Sequence, residues 1–227
     1  MRRFLVSKPK IKIEKFKKPQ EMEYNIILET DRDKEKFIKR VEKVVRDSME
    51  SKDYILFLKD YVNMNHCAFF TNVANKEGSK VRIEIHHEPL TLFDIVAIVL
   101  EKHLAEGVPI SDFYIAEEVM ELHYQNKVGL IPLSKSIHQI VHHSDDIFIP
   151  INLVYGNYKE FLDEYLEFCD DDFSDMILDK VEGKIEKTKY LKESMFNSLN
   201  PEYVYIEVDG YQLPKKVEIE SDKKEIA

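Results

Sequence analysis

Two pairs of histidines at different spacings constrain this chain more than any other feature. The first is tandem, His86-His87, closing the stretch Ile83-Glu84-Ile85-His86-His87-Glu88-Pro89-Leu90; the second is His138 and His142, which follow Gly129-Leu130-Ile131-Pro132-Leu133-Ser134. Alternation of β-branched and polar residues in the first stretch predicts a strand, on which successive side chains point to opposite faces. In the second, Ser134 is placed to cap a short helix, and residues four apart on a helix share a face. His138 and His142 are therefore expected to grip one ion together, with His86 arriving from the strand as a third ligand. Three neutral imidazoles leave a coordination position open, which separates a reactive metal site from a closed structural one. His87 should point away from the ligand shell and stay free as a base.

Either pair alone carries little weight, since a His-x-x-x-His pair on an amphipathic helix is more often partly buried core or surface. Their order, with Pro89 after the tandem pair and a capped helix under the second, is more specific. This arrangement resembles the ββα-metal (HNH) nuclease motif and is especially similar to the DNase domains of the E-group colicins. Those domains also use tandem histidines followed by Glu and Pro-type residues, and a motif helix with two histidines four apart. The resemblance spans residues 66 to 145. It implies an α+β fold with a ββα-metal core, in which His86, His138 and His142 hold one divalent metal ion (Zn, Mg, Mn or Ni). It implies His87 as the general base, and DNA, cut at phosphodiester bonds, as the substrate.

The sequence departs from the family at two points. Where the family has an asparagine nine residues before the first helix histidine, bracing the loop that holds the base, this chain has Gly129, with Asn126 three residues earlier as a stand-in. The gap from His87 to His138 is also longer than in the colicins, which implies a helical insertion within the motif. Compact HNH proteins without zinc-binding cysteines resemble those of bacteriophage and plasmid genomes, so a cytoplasmic protein of phage or plasmid origin is expected, working in the host cytoplasm if it is phage-encoded. The rival reading is an inactive HNH-like scaffold that docks a protein partner through its helical insertion or acidic carboxy-terminal region.

Charge is distributed unevenly along the 227 residues, whose formal net charge is −10. Residues 1 to 18 hold Arg2, Arg3, Lys8, Lys10, Lys12, Lys15, Lys17 and Lys18 against Glu14 alone. An acidic body repels a polyanion, so nucleic-acid contact should be local, through this basic arm and the metal with its rim. The alternative is a solvated or edge-strand arm. Cys67 and Cys169 are the only cysteines and lie far apart, which excludes a disulfide framework or a cysteine zinc knuckle and points to a reducing cytoplasm. The amino terminus has no apolar core of signal-peptide length. The longest aliphatic run, Ile95 to Leu100, is far too short to cross a bilayer, so a soluble protein without membrane association is expected.

The chain divides on this reading into a basic arm (1–20), a helical region (21–62), an HNH-like domain (63–155) with a helical insertion at 91–125, and a carboxy-terminal helical region with a β-hairpin (156–227). Asn25 to Leu28 reads as a short strand. Thr30 or Asp31 caps a helix with Phe37, Val41, Val44, Val45 and Met49 on its apolar face, and Ser51 opens a second. Residues 66 to 70 and 81 to 85 read as a hairpin leading into the tandem histidines. Within the insertion, Thr91 and Asp94 form a capping box for a helix ending at Gly107, and Ser111 opens another. His103 and His123, on these helices, are expected at the surface or an interface, and His66 is expected to be structural. Gly156 precedes a helix with Tyr158, Phe161 and Leu162; Asp170 to Asp175 read as a solvated linker before a longer helix. Asp209-Gly210 marks the carboxy-terminal hairpin.

Overall fold

The computed structural model describes residues 26, 28–70, 72–75, 78, 80–143, 148–190, 202–205 and 213–215. Helix α1 (Asp31–Asp47) starts where Thr30 accepts a hydrogen bond from the Asp33 N–H, and it buries Phe37, Ile38, Val41 and Val45. Helix α2 (Met49–Asp60) begins earlier than Ser51 because Ser48 takes the cap, its hydroxyl accepting from the Ser51 N–H at 3.0 Å. Met49, expected on the apolar face of α1, is instead the first residue of α2 and is 65 % exposed. Two further helices, α3 (Leu92–Glu106) and α4 (Asp112–Tyr124), form the insertion. The Thr91–Asp94 capping box is present in full, and Gly107 closes α3 at φ 64°, a left-handed conformation that costs glycine little. Ser111 caps α4 through the Tyr114 N–H. Both pack against α1.

The sheet has two antiparallel strands, β1 (Ile83–His87) and β2 (Leu130–Ser134), with His86 opposite Ile131 and His87 opposite Leu130. Helix α5 (Lys135–His143) leaves β2 without an intervening loop. The fold is α+β. Residues 66 to 70 do not form a hairpin with β1; the ladder of β1 is with β2. They fold back locally through a bridge between His66 and Ala74, and the Ala68 N–H donates to the Pro132 carbonyl at 2.8 Å.

After α5 the chain returns to β2, where Leu130 and Tyr155 exchange backbone hydrogen bonds of 2.8 and 2.9 Å. Helices α6 (Tyr158–Tyr165) and α7 (Asp171–Lys189) follow. The acidic run is not a linker: Asp170 caps α7 by accepting from the Phe173 N–H at 2.8 Å, and Asp171 and Asp172 occupy its first turn, where the helix dipole favours negative charge. Ile26 and Leu28 are not in a strand, while Asn25 and Ile27 lie outside the described residues. The Asp209-Gly210 turn also lies outside them, and residues 202–205 and 213–215 beside it are not in strands. Tyr203 nonetheless docks on the body, its hydroxyl donating to the Leu153 carbonyl at 2.8 Å. Among the described residues no helix is long and apolar enough to cross a membrane.

One hydrophobic cluster holds Phe37 of α1, Val99 of α3, Val119 of α4, Leu133 of β2, Phe161 of α6 and Ile177 of α7. The insertion therefore supplies part of the main core. Where β2 begins, Gly129 accepts from the Glu88 N–H at 3.0 Å, and a Cβ on Gly129 would lie 1.9 Å from the Glu88 carbonyl oxygen. This close approach explains glycine at that position. Gly183, on the exposed side of α7, has nothing within 4 Å of a Cβ. Gly129→Ala is expected to destabilise by about 2 kcal/mol or more, and Gly183→Ala to stabilise by roughly 0.5–1 kcal/mol. Urea unfolding of the two variants measures this; similar shifts of the same sign would contradict the packing described.

Candidate metal centre

Alternation along β1 puts Glu84 and His86 on one face and His87 on the other. Helix α5 covers the first face and presents His138 and His142 from successive turns. Each of His86, His138 and His142 offers one ligand atom within 4.8 Å of the others, and they are the single such group among the described residues. The ring of His86 lies 5.1 Å from that of His138 and 5.0 Å from that of His142, centre to centre. Nε2 of His138 and Nε2 of His142 are 3.1 Å apart. Two nitrogens on a tetrahedral ion at 2.0–2.1 Å would be separated by about 3.3 Å. The cluster thus has the spacing that a small divalent cation needs.

The tautomer also fits. His138 Nδ1 donates to Glu84 Oε2 at 2.7 Å, which fixes its proton on Nδ1 and leaves Nε2 as a lone-pair donor on the cluster side. His86 Nε2 lies 3.6 Å from Glu88 Oε2. Glu88 is buried, and its other oxygen meets the Lys184 ammonium from α7, which also donates to the Pro89 carbonyl at 3.1 Å. Burial, together with the charge of His86 and His142, holds His138 below the usual imidazole value, although Glu84 pulls the other way. Burial likewise lowers His142, with His86, His143 and Arg46 adding to it. Neutral imidazoles at neutral pH are what metal ligation requires.

His87 is outside the cluster and is not free. Its Nε2 lies 2.9 Å from Nε2 of His123 on α4, with the rings edge to face at 5.2 Å. Burial and then His123 push the His87 imidazole well below its usual range, and burial brings His123 down to about 4. His123 is 4 % exposed and His103 7 %, so of the surface or interface position expected for them neither takes the surface one. His103 is held by Glu118 at 2.6 Å. Asn126 is buried just beyond α4 at φ 57°, where the Tyr155 hydroxyl donates to its Oδ1 at 3.2 Å and the Asn157 N–H to its carbonyl at 2.6 Å. It ties the approach to β2 to the following segment. The basic arm from Arg2 to Lys18 lies outside the described residues.

Sequence reasoning passed over Glu84 and His123, although a signal existed for each. Glu84 is two residues before His86 on a strand and so shares its face. His123 follows Ile115 by eight residues and Val119 by four, which places it on the buried stripe of α4. Lys184, far along the chain, has no such signal.

Together these features define an α+β protein carrying a three-histidine cluster between a strand end and a helix. The family model described as Bacteriophage G278-like virion protein matches residues 7–209, and the chain belongs to that bacteriophage family. No curated protein and no solved structure matches it. The phage origin expected from the sequence agrees with this, and the family's description says nothing of a nuclease.

Two outcomes follow from the geometry. Glu84→Gln should weaken divalent-metal affinity about 10–100-fold, the usual cost of losing a carboxylate behind a ligating histidine; calorimetric titration with Zn²⁺ measures it, and unchanged affinity would dissociate Glu84 from the site. The second concerns acid. With folded pKa values below the unfolded 6.5, the buried imidazoles bind protons more readily after unfolding, so their stabilising contribution is complete above pH 6.5 and is lost as pH falls towards 4. His123 alone accounts for about 3 kcal/mol of that loss. Urea midpoints at pH 7 and pH 4.5 test this, and a midpoint that holds or rises on acidification would contradict it.

Proposed function

We propose that this virion-family protein is a metal-dependent endonuclease of the HNH type that hydrolyses phosphodiester bonds in DNA. The observation that carries the reading is the convergence of His86, His138 and His142 at metal-ligand spacing, on two antiparallel strands followed by a helix, with His87 next in sequence and outside the ligand set. That is the arrangement expected of a ββα-metal core. A divalent ion held there supplies positive charge to a scissile phosphate and its leaving oxygen. His86, His138 and His142 would hold it, and Glu84 would keep the His138 ring in the ligating tautomer. His87, neutral at pH 7, would accept the proton of the attacking water. The buried Glu88–Lys184 pair fixes the turn after the tandem histidines.

DNA contact would fall to the basic arm, because the rest of the chain is acidic. A DNA-cutting component of a virion would act on DNA inside the particle or after delivery to the host, so the cytoplasm is one of its places of action. The rival reading is an inactive scaffold of the same shape that docks a protein partner. A specific observation in its favour is the exposed apolar surface on α4, where Phe113 is 75 % and Tyr114 52 % exposed.

Plasmid nicking with Mg²⁺, Mn²⁺, Ni²⁺ or Zn²⁺ and an EDTA control decides between them. His87→Ala should keep metal affinity and DNA binding while nicking falls by about 10²–10⁴-fold, the usual worth of a general base; His138→Ala should lose metal and nicking together. A parent chain that fails to cut with every metal tested would replace the enzyme by the scaffold, whereas a His87→Ala chain as fast as the parent would remove the base assignment. Deleting residues 1–18 should weaken DNA binding and flatten its salt dependence. An unchanged salt slope would assign the arm another role.

A further inference from the structure

The helical insertion reaches His87 through the imidazole of His123, and the hydrogen bonds around it determine where the protons sit. His123 Nδ1 lies 2.7 Å from the Val119 carbonyl oxygen. A carbonyl can only accept, so the His123 proton is on Nδ1. The ring is buried, packed edge to face on Tyr54 at 5.6 Å, and neutral at pH 7, so its Nε2 carries a lone pair. That lone pair faces His87 Nε2 at 2.9 Å. Two lone pairs at this distance repel, and the contact is a hydrogen bond only if His87 carries its proton on Nε2. A neutral imidazole holds one ring proton. His87 Nδ1 is then the basic atom, and among the described residues no group bonds to it.

We propose that His123 is the positioning residue for His87: the Val119 carbonyl–His123–His87 relay fixes His87 as the Nε2–H tautomer and reserves Nδ1 as its one proton-accepting atom. The inference rests on the nuclease reading for what Nδ1 accepts, but the tautomer stands or falls without it. In histidine-dependent catalysis a group behind the base commonly sets tautomer and ring orientation. In this chain that group comes from α4, inside the segment separating the strands. This gives the insertion a role at the site beyond its share of the core. An imidazole serves better than a carboxylate here, since it accepts the hydrogen bond without placing a negative charge in a buried position.

The test reads the tautomer directly. Nitrogen-15 NMR of the full chain at pH 7, without DNA or metal, with His87 assigned by its loss in His87→Ala, should show the pyrrole-type signal at Nε2 and the pyridine-type signal at Nδ1. The opposite assignment, or an even mixture, overturns the proposal without reference to any variant. His123→Leu removes the acceptor and should release His87 to a mixture of tautomers. His123→Gln offers a carbonyl oxygen near the same place and should restore the Nε2–H form. Zn²⁺ affinity should stay within about twofold of the parent in both, because neither residue belongs to the ligand set. If His123→Leu folds and His87 keeps the parent tautomer, His123 does not position it.

Nicking kinetics add the readout on function. His123→Leu should lower kcat by about 10²-fold or more with KM little changed, and His123→Gln should recover most of it. A KM effect of equal size would mark a DNA-contact or folding role and overturn positioning. The confirmed tautomer in a chain that never cuts would sink the nuclease reading and leave the relay intact.

Discussion

The register between β1 and β2 is the constraint on which the site depends. His86 pairs opposite Ile131, and α5 begins directly after β2, so this one pairing sets the distance from the strand histidine to His138 and His142. A shift by one residue would turn Glu84 and His86 to the other face of β1 and bring His87 under α5 instead. Local features oppose such a slip. The Glu88 N–H is bonded to the Gly129 carbonyl at the close approach that only glycine permits, and Leu130 is bonded on its other side to Tyr155. The strands are short, but their ends are pinned.

Two strands alone would be marginal in water. Their support comes from α3 and α4 between the strands and from α6 and α7 after them, all of which enter one core. A long insertion is tolerable because loop-closure cost grows slowly with length and because this insertion buries an apolar face of its own. The same packing brings polar groups to the site from distant parts of the sequence: His123 from α4 behind His87, and Lys184 from α7 behind Glu88.

Much of this was legible before any coordinates. Capping chemistry located α1, α3 and α4, since Thr30, the Thr91–Asp94 box and Ser111 act within a few residues and need no tertiary contact. Strand alternation and the i, i+4 rule together grouped His86, His138 and His142. What escaped was set by partners remote in sequence. The segment expected to form a hairpin with β1 bonds instead to β2, through the Ala68 N–H and the Pro132 carbonyl, and Asp170 to Asp175 resembled a linker because their value lies in capping α7. His123 was expected at the surface or an interface because a polar side chain on an amphipathic helix usually faces water; here the stripe of Ile115 and Val119 carries it inward, and Val119 and His87 satisfy both of its nitrogens. The Gly129 departure from the nuclease pattern likewise has a reason that only packing supplies.

The proposed function requires three imidazoles to hold one divalent ion and leave a coordination position for a small oxygen ligand. X-ray absorption at the zinc edge of the full chain loaded with one equivalent of Zn²⁺ tests it most directly. The expected spectrum shows three imidazole nitrogens near 2.0–2.1 Å with their outer-ring scattering, plus a single further light atom. Zinc that is not retained, or that shows fewer than two imidazoles or a fully protein-closed shell of four, would contradict it.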